Sequence, residues 1–402
     1  MATVLGTLSV LKNHIKYKVS EDFVAIDNII FRLHYRVTFV ALLLGSLLVS
    51  SRQFFGEHIK CIHEKGGVRH SAIESYCFFS STFTVSKYMN QSLIGAGKVA
   101  AHPGIGIQSN EDDIVWHTYY QWVPFVLFFQ AILFYLPHYL WKSAEGGRLK
   151  ALVSKLKMTL LTMREERITV GSKTIPSISD RDEKIRILKQ AFIDHIHVNK
   201  PWSYYLGAFE LLNLINVIAQ IYITDKFLNG QFLGIGRNTF DDIVDGEMTA
   251  LDMVFPKVTK CIFHKYGASG TIEKYDALCI LALNIINEKI YTLLWFWFIA
   301  LSAMTFLGLV WRIATMVLHS RSKQFNRYVF SMACPGKNNP WDILKITHKN
   351  YFGDWLFLYY IAKNVDNNVF RELLVQVGHD LNDQKNNTPT SESVLISGLH
   401  NE

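Results

Sequence analysis

From Trp122 to Trp141 the chain runs for twenty residues, "WVPFVLFFQAILFYLPHYLW", without a single charge. At ~1.5 Å rise per residue such a helix spans roughly 30 Å, the thickness of a bilayer's hydrocarbon core. A core helix of a soluble protein would show a polar stripe at the 3.6-residue period, yet only Gln130 and His138 break the apolar surface. Tyr119, Tyr120 and Trp122 at one end and Tyr135, Tyr139 and Trp141 at the other match two interfacial aromatic belts. The segment reads as a membrane span.

Three more segments meet the same test. Ile290 to Trp311 is uncharged and framed by Lys289 and Arg312. Val37 to Ser51 is short, but Arg36 and Arg52 can snorkel and Phe54 and Phe55 extend its apolar end. Ser203 to Thr224 carries Glu210, Asn213, Asn216 and Gln220, which fall on one side of a helix; that stripe must face protein or water rather than lipid. The expected fold class is therefore an all-α polytopic membrane protein, a four-transmembrane-helix bundle. Its organisation is an amino-terminal helix over 1–30, spans over 31–55, 119–141, 203–227 and 288–312, outer loops over 56–118 and 228–287, a cytoplasmic loop over 142–202, a helical tail over 313–380 and a disordered tail over 381–402. No cleavable signal peptide is visible.

Charge sets the orientation. Residues 1–36 carry five Lys/Arg against three Asp/Glu, residues 142–203 thirteen against seven, and residues 312–402 ten against eight. The segments 56–118 and 228–287 are net acidic, five against six and five against seven, so both termini are expected in the cytoplasm. The net charge of +7 is a topology signal, and nucleic-acid binding is not expected.

Of five cysteines, Cys61 and Cys77 fall in the first outer loop, Cys261 and Cys279 in the second, and Cys334 alone on the inner side. Outside the cell, four cysteines favour disulfides, with three pairings open. A zinc site built on Cys261 and His264 is the competing reading, but no close Cys/His pair accompanies it. His195 and His197 do not share a helix face and no HExxH pattern occurs, so neither a metal nor a cofactor nor an enzymatic activity is expected.

Smaller features refine the picture. "MATVLGTLSVLKNHIKYK" places Val4, Leu5, Leu8, Leu11 and Ile15 at helical spacing, an amphipathic helix suited to the membrane surface. Pro137 removes a backbone donor inside the second span and is the candidate gating hinge. In "RDEKIRILKQAFIDHI", Ile185, Ile187, Leu188, Phe192 and Ile193 mark the packing face of a solvated helix. Asn90-Gln91-Ser92 is a glycosylation acceptor on the outer side, and the glycine pairs at 104–107 and 234–236 are turns.

Nearly the whole chain resembles an innexin, the invertebrate gap-junction family. The likeness rests on "YYQWVPFVLFFQAILFY" followed by "LWKSAEGGRL", on "SRQFFG" before Cys61, "YCFFSSTFTV" at Cys77, "VFPKVTKCIFHKYGASG" around Cys261, "INEKIYTLLWFWF" and "GDWLFLYYIAKNVD". The resemblance implies a plasma-membrane ring of eight like subunits, with other innexins as possible co-subunits, docking onto a second ring on the apposed cell and passing ions and small molecules. It implies nested disulfides, Cys61 with Cys279 and Cys77 with Cys261. It also implies that the amino-terminal helix, with Met1, Ala2 and Thr3, folds into the pore that Arg36 and the first span line, against the surface placement above. The chain departs from the family at Phe78, where tryptophan is usual, and at Glu57-His58. A glycan on Asn90 would obstruct docking and leave an unpaired hemichannel, as in pannexins. A four-span adhesion or scaffold protein without a pore is the reading from another class.

Overall fold

Each of the four apolar runs forms one long helix in the computed structural model, which describes residues 24–55, 59–63, 68–89, 102–107, 113–153, 168–170, 173–175, 177–194, 200–236, 250–333 and 352–387. The helices long and apolar enough to cross a membrane are Ile29–Gln53, Val123–Glu145, Pro201–Phe227 and Ala282–Leu318. The chain divides into two compact units, one of Ile29–Leu140 with Ala208–Trp311, the other of Met1–Asn28, Trp141–Gly207 and Arg312–Glu402.

In the first unit, α1 (Ile29–Arg32) passes through a π-helical stretch at Leu33–Thr38 into α2 (Phe39–Phe55). β1 (Lys60–Ile62), α3 (His70–Ser80), β2 (Thr82–Val85) and β3 (Ile114–His117) follow, and a 3-10 turn at Tyr119–Gln121 leads into α4 (Val123–Glu145). The second unit takes the end of α4 and adds α5 (Arg148–Val153), the hairpin β4 (Ile168–Val170) and β5 (Lys173–Ile175), and α6 (Ile178–Asp194). α7 (Lys200–Phe227) then brings the chain back to the first unit. There it forms α8 (Ala250–Val254), β6 (Val258–Tyr266), β7 (Ile272–Ile280) and most of α9 (Ala282–Leu318). The chain closes in the second unit with α10 (Lys323–Ala333), α11 (Phe352–Asn364) and α12 (Asn367–Asn387).

Within the first unit the helices bury a shared seam that includes Leu42, Leu127, Phe134, Val217, Tyr291 and Phe298, all essentially sealed from solvent. Their outer faces keep large apolar groups exposed, Leu47, Phe129, Ile215 and Leu293 among them, as expected of surfaces that meet lipid or a neighbouring subunit. The π-helical stretch is pinned on two sides. His34 Nε2 lies 2.9 Å from Thr305 Oγ1 in α9, Trp297 Nε1 donates to Thr38 Oγ1 at 2.8 Å, and Tyr35 stacks on His138 of α4 at 3.6 Å.

The two loop segments of this unit are not irregular. They build one antiparallel sheet in the order β1-β7-β6-β2-β3, with Cys61 opposite Cys279 and Val258 opposite Ile280. β6 and β7 alternate inward Thr259 and Cys261 with outward positions, and a tight turn closes them. In that turn Gly270 adopts a φ of 81°, a region that β-carbons disfavour.

The second unit is centred on aromatic rings. Trp202 meets Trp141, Phe357 and Tyr360 edge to face at 5.6, 5.6 and 5.5 Å. Trp355 Nε1 donates to buried Asn326 Oδ1 at 2.9 Å. Glu145 accepts from the backbone N–H groups of Gly147 and Leu149 at 2.8 and 2.6 Å, capping α5; the turn between needs φ of 67° and 75°, which Gly146 and Gly147 supply. α6 is tied to α12 by Arg181 with Glu372 and by Lys189 with Asp380 at 2.8 Å.

Some expectations change. Residues 24–28, assigned to the amino-terminal helix, are not helical: the Asn364 side chain occupies the backbone groups of Ala25, accepting from its N–H at 2.7 Å and donating to its carbonyl at 3.0 Å. Ile187 is exposed, while Ile185, Leu188 and Phe192 form the packed face of α6. The tail helix α12 runs to Asn387, past the expected boundary at 381, because a helix anchored upstream by Leu373, Leu374 and Val377 extends at one hydrogen bond per added residue. Met1, Ala2, Thr3, Asn90, His195, His197 and Cys334 lie outside the described residues.

Candidate functional site

The sheet of the first unit is held by two covalent ties between segments far apart in sequence. Cys61 is bonded to Cys279 and Cys77 to Cys261, so β1 is fixed to β7 and α3 to β6. The sulfurs of Cys61, Cys77 and Cys279 lie within 4.8 Å of one another, which places the two disulfides side by side in one buried layer. Cys261 is thereby committed, and His264 is exposed, so the zinc reading of that pair falls.

The residues just before α4 hold this layer against the helices. The Tyr120 hydroxyl reaches the carbonyls of Phe78 and Cys77 at 3.2 and 3.4 Å, and Gln121 Nε2 donates to Phe78 as well. These are end groups of α3 that no intrahelical donor serves. Tyr119 packs edge to face on Phe227 and Phe255, at 6.3 and 5.9 Å. "YYQW" is thus a clamp: two aromatic bodies fill the joint while a hydroxyl and an amide satisfy the end of the helix that carries Cys77.

Two charged or titratable groups stiffen the sheet's flanks. His117 Nε2 lies 2.8 Å from Thr84 Oγ1, buried, and that burial pushes the imidazole down to about 4. Lys257 bonds Asp252 at 2.8 Å and Glu288 at 3.3 Å; the neighbouring carboxylates hold its ammonium above the usual lysine range. On the outside, Ile62, Phe79, Trp116 and Tyr266 are more than half exposed.

Within the helices, Glu210, Asn213 and Gln220 are buried and Asn216 is half-buried along one stripe of α7. Gln220 Nε2 donates to Asn216 Oδ1 at 3.3 Å, and Gln130 of α4 donates to Thr224 Oγ1, the next position of the stripe, at 2.8 Å. Asn213 Oδ1 and Gln220 Oε1 are buried with no hydrogen-bond partner among the described residues. Pro137 is buried in an unbroken α4, one residue before the histidine that stacks on the π-helical stretch. Arg36 is exposed, its guanidinium 5.5 Å from the Tyr35 ring centre. The structure brings the four cysteines and the polar stripe together, each in its own layer. Nothing in "LHYRVT" departs from helical patterning, so the sequence does not signal the π-helical stretch; it shows only in the structure, through the buried, externally bonded His34 and Thr38.

A family model described as Innexin matches residues 27–381. The chain belongs to the innexin family. Innexin inx7 of Drosophila melanogaster is 43% identical over 380 residues, 94% of this chain and 85% of the relative. Innexin inx2 of Schistocerca americana is 40% identical over 365 residues, covering 90% of this chain and 94% of its own length, and Innexin shaking-B of Drosophila melanogaster is 35% identical over 91% and 93%. Innexins are gap-junction channel proteins of the membrane, and this innexin is a channel-forming subunit with four membrane-length helices beneath a disulfide-tied sheet.

Proposed function

We propose that eight copies of this innexin form a ring whose sheets dock onto a second ring in the apposed plasma membrane, opening a path for ions and small molecules between two cytoplasms. The observation that carries the reading is the pair of disulfides that turns two separate outer segments into one rigid surface with apolar side chains exposed on it. Both termini lie in the cytoplasm by the charge asymmetry of the flanking segments. Met1, Ala2 and Thr3 enter the pore mouth, Arg36 and the exposed face of α2 line it, and Pro137 acts as the hinge. Glu210, Asn213, Asn216 and Gln220 join α7 to its neighbours. Other innexins are accepted as co-subunits through the same lateral faces, with lipid around the ring.

Counting subunits in the purified complex by native mass measurement tests the assembly: eight chains per ring is the expected result, and a monomer or dimer contradicts it. A second reading rests on the Asn90 sequon, since a glycan there would keep the rings apart and leave a single-membrane hemichannel. Loss of mass on enzymatic deglycosylation, abolished by Asn90→Gln, favours it; no shift removes it.

A further inference from the structure

Two histidines extend the buried disulfide layer outward. His63 follows Cys61 by two residues, on the same face of the β1 strand path, and His70 precedes Cys77 by seven, two turns earlier on the same stripe of α3. Their rings meet, with centroids 4.2 Å apart and planes at 51°. His63 Nδ1 is shut off from solvent and has no hydrogen-bond partner among the described residues, which leaves a buried nitrogen in want of a ligand. His70 is exposed, and His63 also borders an open cleft of about 840 Å³ beside β7, so the pair is reachable from outside.

We propose that His63 and His70 together bind a zinc-class divalent cation on the outer face of the protein. Metal–nitrogen bonds of ~2.0–2.1 Å at a tetrahedral angle would set the ring centres about 5 Å apart, near the 4.2 Å that separates them, and binding turns the tilted rings so that one nitrogen of each faces the metal. Water fills the remaining positions. The ligands on offer are mainly imidazole: the pair supplies two rings against a single nearby carboxylate, Glu74, one turn beyond His70, and across the cleft Asp276 is already paired with Lys260 at 3.4 Å, which the Gly106 carbonyl also holds at 2.9 Å. Carboxylate-seeking Mg²⁺ finds little here, whereas Zn²⁺ binds imidazole well. Bound metal would tie β1 to α3, as a third clasp beside the two disulfides.

The test uses the purified full chain with its disulfides intact, titrated with Zn²⁺ against a competing chromophoric chelator. One zinc per chain is expected at this site, with affinity lowered at least tenfold by His63→Ala or by His70→Ala and untouched by excess Mg²⁺. His63→Gln keeps a polar group of similar size; with both disulfides verified by non-reducing peptide mapping, it is expected to lose the same affinity in a folded protein. Unchanged zinc affinity in any of the three variants, or displacement by Mg²⁺, overturns the proposal.

Discussion

Asn364 holds the chain just ahead of the first membrane helix with a single buried side chain. Its amide closes a two-point bond with Ala25 and also donates to the Tyr360 carbonyl at 2.8 Å, while Trp141 Nε1 bonds Ile26 and Lys363 Nζ bonds Asp27. Asn364→Ala leaves the Ala25 amide buried without its partner, so a loss of about 1–3 kcal/mol is expected in denaturant unfolding; a wild-type midpoint would show that the clasp is dispensable. His117 makes the second prediction at this scale. Burial favours its neutral ring, so its contribution is complete above about pH 6.5 and falls as pH drops toward about 4, where the unfolded chain binds a proton that the fold refuses. The loss amounts to at most about 3 kcal/mol, and His117→Gln should flatten the unfolding midpoint across that window. An unchanged slope in the variant would assign the pH dependence elsewhere. Neither residue stood out in the sequence, because a buried amide and a buried imidazole are spelled the same as exposed ones; Glu210 did stand out, since a carboxylate inside an apolar run declares its own cost.

The four helices were legible because an uncharged run of span length has few other fates; the cysteines alone left three pairings open, and the nested pairs seen here, Cys61 with Cys279 and Cys77 with Cys261, were implied only by the innexin resemblance. The sheet was not: β6 and β7 read as ordinary loop between turn signals, and their pairing with β1 and β2 depends on contacts more than 150 residues away in sequence. The π-helical stretch is equally a product of its partners, the Trp297 and Thr305 side chains. Opposite it, Pro137 offers no N–H to the carbonyl of Leu133, so both helices are weakened at one level. Pro137→Ala restores that donor; voltage sensitivity is expected to change while assembly persists, and unaltered gating would remove the hinge. The nested disulfides act at the same scale. With Cys77–Cys261 intact, Cys61–Cys279 closes an effective loop of roughly 34 residues, so Cys61→Ser should cost about 4 kcal/mol in the chain-entropy account. It also leaves Cys279 free, and cell-to-cell coupling should vanish even where the variant reaches the surface. Normal coupling would show that the docking surface does not need this tie.

For the molecule as a whole, the membrane helices supply span length and exposed apolar faces, and the segments carrying β1, α3, β6 and β7 supply one covalently fixed surface. What separates a docking channel from an unpaired hemichannel is conductance across two membranes. The decisive measurement is paired-cell electrophysiology, with this innexin expressed in two apposed cells that otherwise lack gap junctions. Junctional current between them is expected, lost on Cys61→Ser. Current confined to single-cell membranes, with coupling appearing only after Asn90→Gln, would contradict docking by the native protein, and the absence of current in both settings would contradict the channel formed by this chain alone.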